Sequence, residues 1–252
     1  MRLYREAPGR GKDGSIGRVI TLYQYEISPF CDKIRRTLNW KRLPYETRDV
    51  SIGQTIFGLR KLNPIGKVPC IDADGTWVAD STHIAHWLEE RHPEPPLYPA
   101  DPRERALCHI LEDWADESLY FFELELRFGR GAETARWVES LTERDNFLVR
   151  QLARFAVPFT QRSITTRQGV GRKPAEMVER EIKGHLEALA ARLDGGPFLL
   201  GDTLTMADIA VFVQLHGIRT TAPGERLVGA AAPVVRAWLD RVDAATGVRG
   251  GT

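Results

Sequence analysis

Leu22-Tyr23-Gln24-Tyr25-Glu26-Ile27-Ser28-Pro29-Phe30-Cys31 is the stretch on which the reading of this chain turns. It closes a short apolar run, Val19 to Gln24, that has strand length and composition. A turn over Glu26 to Pro29 follows. Ile34 and Leu38, with Trp40 beyond them, then recur at near-helical spacing, so Pro29 to Arg42 reads as a helix. Proline suits the first turn of that helix, because the N–H it lacks would go unpaired there. Strand, turn and helix therefore meet at Ser28.

Tyr45 to Val50 reads as a second strand. Ser51 to Leu62 is ambiguous by periodicity and is taken as a short helix. Asn63-Pro64-Ile65-Gly66 is a turn. Val68 to Asp72 and Trp77 to Ala79 are two strands joined at Asp74-Gly75, a strong hairpin signal. Asp80 to Arg91 is a helix with Ile84, Trp87 and Leu88 on one face. The order is β-α-β-(α)-β-β-α: its first half requires a crossover and its second a hairpin, which a mixed sheet with helices on both faces satisfies.

His92 to Pro102 carries Pro93, Pro95, Pro96, Pro99 and Pro102, so nothing regular runs through it and it reads as a linker. Beyond it strand signals vanish. Helices are predicted over Arg103 to Phe128, Trp137 to Phe159 (ending near Pro158), Pro174 to Leu193, Met206 to Ile218 and Pro233 to Val242. At Thr205, Asp208 three residues on is placed to reach back to the cap N–H, and Leu204 to pack on Ile209. The fold class is thus α/β followed by all-α. A leader spans 1–17, an N-terminal α/β domain 18–92, the linker 93–102 and a helical domain 103–252.

Composition bounds the function classes. The chain has 252 residues, ordinary apolar and charged fractions of 42% and 27%, and a formal net charge of +1. That charge gives no global attraction to nucleic acid. No apolar run approaches the ~20 residues of a membrane span. Met1 to Gly17 is rich in glycine and charge and lacks the apolar stretch of a secretory signal, so it reads as a flexible leader. Cys31, Cys70 and Cys108 include no Cys-x-x-Cys pair, so no metal site is expected. Free thiols without a signal segment point to the reducing cytoplasm.

Four segments carry a resemblance. Leu22 to Cys31 resembles the first strand and active-site turn of serine-type glutathione transferases. Asn63-Pro64-Ile65-Gly66-Lys67-Val68-Pro69 is similar to their loop before the third strand. Asp80-Ser81 followed by Thr82-His83-Ile84 is similar to their acidic-Ser-x-x-Ile helix start, and Gly201 to Asp208 to the capping motif of their helical domain. The likeness runs over residues 19–245. A lesser one, at Gly169-Val170-Gly171-Arg172, is to the metaxin and failed-axon-connections branch; an exposed interhelical loop explains it as well.

The resemblance implies a thioredoxin-like fold for residues 18–92, a glutathione co-substrate, no metal, a small electrophile and a homodimer. Ser28 would donate its hydroxyl to the sulfur beside a positive helix end, or serve only as that helix's cap. Cys31 stands where relatives with a Cys-x-x-Cys turn carry their second cysteine; with Ser28 in the first position, dithiol exchange is closed, and Cys31 is either a lone thiol or a small packing residue. Val68-Pro69 is expected to be cis and to offer the Val68 backbone to the peptide. Asp80 would pair with the γ-glutamyl ammonium, Ser81 would hold its carboxylate and Lys67 would meet the glycine carboxylate. Asp32, an acid where several relatives have arginine shortly after the serine, weakens the electrostatic support for a thiolate. Trp114, Tyr120 and Phe121, with Phe122, are candidates for an electrophile pocket between the domains, or for core. Three functions stay open: transferase, glutathione-dependent isomerase or reductase, and non-catalytic binding protein.

Overall fold

A computed structural model describes residues 4–5, 19–63, 65–129 and 133–247. They fall into two compact units. The first holds the residues up to Leu97 together with Leu141–Val149; the second holds Tyr98–Ser140 and Arg150–Gly247.

In the first unit the strands are β1 (Tyr4–Arg5), β2 (Ile20–Gln24), β3 (Tyr45–Asp49), β4 (Cys70–Ala73) and β5 (Thr76–Ala79), in the spatial order β1-β5-β4-β2-β3. β2 and β3 are parallel, joined through α1 (Pro29–Trp40); the other pairings are antiparallel. This is the mixed sheet that the crossover and hairpin require. The segment read as a leader contributes β1, which pairs Tyr4 with Val78 and Arg5 with Trp77; the rest of 1–17 lies outside the described residues. Ser51 to Leu62 resolves into two short helices, α2 (Ile52–Phe57) and α3 (Leu59–Leu62).

β2 alternates buried and half-buried side chains, the signature of a strand with two unequal faces. Ile20 and Leu22 join Ile71 and Val78 on the face that meets Ile34 and Leu38 of α1 and Ile84 and Leu88 of α4 (Ser81–Arg91). The other face packs Cys70 and Ala79 against Leu59, with Tyr23 and Trp77 at its margin. Lys41, buried at the end of α1, reaches Glu89 at 2.6 Å and the Pro95 carbonyl at 3.1 Å, which fastens the proline-rich segment to this unit.

The second unit is helical. α5 (Pro102–Trp114) runs without a break through a wide π-type turn (Ala115–Leu119), α6 (Tyr120–Leu124) and a second wide turn (Glu125–Gly129). Buried charge shapes this stretch. Glu123 and Arg127 pair at 2.6 Å, and Arg127 stacks on Trp137 at 4.3 Å. A side chain at Gly217 would collide with the Glu123 carboxyl, so glycine there leaves room for the acid.

The single helix expected over Trp137 to Phe159 is two helices, α7 (Thr134–Leu141) and α8 (Phe147–Gln168). The break has a cause: Asp145 turns its carboxylate to the backbone N–H groups of Ile52 and Gly53, at 3.0 and 3.2 Å, capping α2. Arg144 adds an ion pair to Asp49 at 2.6 Å. α8 then continues past Pro158, where a stop was expected; the backbone bond and clash that proline costs are borne within a helix of 22 residues. Val170–Arg172 forms one 3₁₀ turn after Gly169, so the Gly-x-Gly-Arg segment is the connection between α8 and α9 (Ala175–Leu193).

α10 (Met206–Arg219) is the centre of this unit, buried over nearly its whole length. α11 (Ala222–Gly229), unanticipated in the sequence, and α12 (Pro233–Thr246) complete it. Asp208 ties the unit together. Its carboxylate accepts from the N–H groups of Leu199 (2.8 Å) and Thr205 (2.9 Å), the Thr205 hydroxyl (2.9 Å) and the Trp238 indole (2.9 Å). Burial pushes the Asp208 carboxyl up, and these donors oppose that push.

Candidate active site

Sheet register brings the candidate residues to one end of the first unit. Tyr23 of β2 lies opposite Cys70 of β4, and Cys70 lies opposite Ala79 of β5. That row fixes three chain segments beside one another: the turn after β2, which ends at Ser28; Val68-Pro69, just before β4; and Asp80-Ser81, just after β5.

Ser28 is the N-cap of α1, in extended conformation, and its hydroxyl oxygen accepts the Cys31 N–H at 3.4 Å. A hydroxyl used as acceptor keeps its own proton to donate. The turn is closed by the Ser28 N–H donating to the Tyr25 carbonyl at 3.1 Å. Capping and sulfur binding are thus compatible at one atom.

The Val68-Pro69 bond is cis, as expected. Asn63 shapes the loop before it: its side-chain oxygen accepts the Gly66 N–H at 2.7 Å and its amide donates to the Lys67 carbonyl at 3.3 Å. Gly66 has φ of +66°, which glycine accommodates. Lys67 itself is exposed.

Asp80 caps α4, accepting from the N–H groups of Thr82 (3.1 Å) and His83 (3.2 Å). It does so at φ 76° and ψ 130°, a backbone state that a non-glycine residue rarely adopts and that clusters at functional sites. Ser81, in the first helical position, is buried beneath it. One carboxylate oxygen of Asp80 takes both caps and also meets the His83 ring at 3.1 Å.

Three side chains of the site have no role that the sequence motifs assign. Lys33 of α1 is fully buried and donates to the Thr82 hydroxyl at 3.3 Å, a cation beside the start of α4. Arg35 bonds Gln24 at 2.6 Å, the Glu26 carbonyl at 3.1 Å and Asp32 at 3.1 Å, so it ties the end of β2, the turn and α1 together. The Tyr25 hydroxyl meets the Thr55 hydroxyl of α2. Each is an ordinary residue in sequence and acquires its place only through long-range packing.

The structure revises the expectation for Asp32. Its carboxylate lies between two guanidinium groups, Arg35 at 3.1 Å and Arg36 at 2.9 Å. Its charge is compensated locally and does not stand against an anion at the turn. At Cys31 the sequence leaves a lone thiol and a packing residue open. Cys31 is fully buried, and burial pushes its thiol up to about 11 despite the neighbouring Ser28 hydroxyl. Burial of this kind disfavours the thiolate that a nucleophile requires and favours a packing role. Cys70 and Cys108 are likewise buried, each pushed by burial up to about 12. We expect less than one thiol per chain to react promptly with a disulfide reagent in the native protein at about pH 8, and all three after denaturation. Prompt reaction of one native thiol would restore Cys31 as a reactive group.

In the second unit Trp114, Tyr120 and Phe121 are half-buried. Trp114 and Phe122 both set ring edges against His185, with centroids 5.3 Å away in each case, and Tyr120 lies 5.4 Å from Phe121. Burial, with Glu123 nearby, raises the Tyr120 hydroxyl far above its ordinary value. Among the described residues no group of His, Cys, Asp or Glu is arranged to hold a metal, and no helix is long and apolar enough to cross a membrane.

Comparison with known proteins agrees with this geometry. Residues 22–96 match the glutathione S-transferase N-terminal domain and residues 132–241 the glutathione S-transferase C-terminal domain. Protein LigF of Sphingobium sp. is 26% identical over 245 residues, covering 91% of this chain and 92% of that protein. Its crystal structure, described as a beta-etherase, superposes with a TM-score of 0.66 at 25% identity, over 90% of this chain and 96% of that one. Probable maleylacetoacetate isomerase 1 of Drosophila melanogaster is 37% identical over 91 residues, 34% of this chain and 37% of that protein. A structure from Methylobacterium radiotolerans in complex with glutathione sulfonate shares the fold, with a TM-score of 0.60 at 23% identity over 90% of this chain and 91% of its own. With both domain types matched in order and the fold shared along nine-tenths of its length, the chain belongs to the glutathione transferase superfamily.

Proposed function

We propose that this chain is a glutathione-dependent enzyme in which Ser28 stabilises the glutathione thiolate for attack on a small hydrophobic electrophile. The observation that carries the proposal is the row Tyr23–Cys70–Ala79, which sets the Ser28 turn, Val68-Pro69 and Asp80-Ser81 side by side. Each offers what one part of the tripeptide needs. The α1 N-terminus and the Ser28 hydroxyl favour a sulfur anion. Val68, whose backbone makes no hydrogen bond to other described residues, extends the edge for the peptide. Asp80 takes the γ-glutamyl ammonium, Ser81 the α-carboxylate and Lys67 the glycine carboxylate. The sulfur forms a bond to an electrophilic carbon while a leaving group departs with its electron pair; Trp114, Tyr120 and Phe121 are the aromatic surface assigned to that electrophile.

Similarity to the beta-etherase LigF over 91% of the chain favours substitution with loss of a leaving group. Higher identity to the isomerase, confined to 91 residues, favours a second reading in which the same thiolate adds to a substrate and is later expelled. Both work in the cytoplasm, in a homodimer, without a metal. Titration calorimetry with glutathione tests the common step. Saturable binding at millimolar concentration or tighter is expected; no heat of binding would remove both readings. Binding without turnover of any electrophile would leave a non-catalytic glutathione-binding protein.

A further inference from the structure

Two lysines of α1 reach α4, one at each end of it. Lys41 donates to Glu89 at 2.6 Å and to the carbonyl of His92, the residue that ends the helix. That is the negative end of the helix dipole, which favours a cation. Lys33, about two turns earlier on α1, donates to the Thr82 hydroxyl at 3.3 Å, in the first turn of α4. That is the positive end, where the dipole opposes a cation. Lys33 is also fully buried, so its ammonium has been taken out of water. The position costs stability on both counts, and it adds positive potential where α4 begins. The two contacts also show that α1 and α4 run parallel, which puts the Ser28 and Ser81 ends together.

The charges at this end are ordered. Asp80 precedes Ser81 and keeps 45% of its side chain exposed, open to an incoming cation. Ser81 is buried, and Lys33 lies beneath, against Thr82. An acid at the surface and a cation below it therefore flank the Ser81 hydroxyl and N–H. An ammonium and a carboxylate carried on one carbon, the head group of an α-amino acid, match that order. Solvent screens a buried cation much less than a surface lysine such as Lys67, so Lys33 acts at full strength over this short range.

We propose that Lys33 is a positioning residue that selects the carboxylate of an α-amino-acid head group at Ser81, acting through the Thr82 hydroxyl and the positive end of α4. The proposal rests on the functional reading, in which Asp80 and Ser81 take the γ-glutamyl group, and adds the buried cation that makes this end specific for a zwitterion. Two ligands separate its role from a structural one: glutathione, and the analogue with 4-aminobutyrate in place of γ-glutamate, which keeps the ammonium and lacks the carboxylate. In titration calorimetry Lys33→Met should weaken glutathione by about tenfold and leave the analogue within about twofold of its wild-type affinity. Lys33→Arg, which keeps the charge, should recover most of the loss. Equal weakening of both ligands would make Lys33 structural and overturn the proposal, as would a Lys33→Met protein that binds glutathione like the wild type. Thr82→Val leaves the lysine in place and removes the hydroxyl it bonds, so it reads the same coupling where Lys33→Met does not fold. Weaker binding of glutathione alone is expected from it; an equal effect on both ligands would overturn the proposal. A wild type that binds neither ligand would remove the functional reading itself.

Discussion

Ser28→Ala is expected to lower kcat/KM toward an activated aromatic halide by about 10²–10³-fold, the usual cost of removing one donor to a developing or resident anion. The dissociation constant for glutathione should move by less than about threefold, because in the proposed site Val68, Asp80 and Ser81 would hold the peptide without the hydroxyl. The loss should shrink as pH rises, since free thiolate becomes available without the donor once pH approaches the ordinary thiol range. Stability should fall by about 1 kcal/mol, the worth of an N-cap, because Ser28 also accepts the Cys31 N–H. Ser28→Thr keeps both the cap and the donor and should retain most activity. An alanine variant with full kcat/KM would make Ser28 a cap and nothing more.

The second large effect is on folding. Asp208→Ala removes the acceptor of four buried donors, Leu199 N–H, Thr205 N–H, the Thr205 hydroxyl and the Trp238 indole. Each stranded donor costs on the order of 1–3 kcal/mol, and breaking a buried charged network typically costs 3–5 kcal/mol in all. The expected loss is about 4 kcal/mol, or on the order of 10 °C in Tm for a chain of this size. Asp208→Asn keeps one acceptor oxygen and should lose about half as much. Denaturant unfolding followed by tryptophan fluorescence reads both values; an alanine variant within 1 kcal/mol of wild type would mean that the four donors find other partners.

What the sequence made legible was local. The turn from β2 into α1, the Asp74-Gly75 hairpin and the reach of Asp208 back to Thr205 are each decided within a few residues, by proline and serine at a helix start, by glycine in a tight turn, and by an acid three residues past a cap. The loss of strand signals after the proline-rich segment likewise marked the second half as helical. The features that escaped depend on distant partners. Nothing near Asp145 announces that it breaks a helix in order to cap α2 at Ile52 and Gly53. Asp32 reads as a liability in sequence because its pairing with Arg35 and Arg36 depends on how those side chains turn on the folded helix. Lys33 has no signal in the sequence, and its burial against Thr82 comes from a partner 49 residues away. Pro158 signalled a stop by its own chemistry, but the surrounding helix is long enough to absorb it.

The most direct test of the central claim is the pKa of the bound glutathione thiol, read from thiolate absorbance in the ultraviolet as pH is raised over wild-type and Ser28→Ala protein. The account predicts a thiol that titrates at least about one unit below its free value in the wild type and returns most of the way in the variant, since the hydroxyl and the helix end both favour the anion. A bound thiol that titrates like free glutathione, or a lowered value that Ser28→Ala leaves in place, would contradict it.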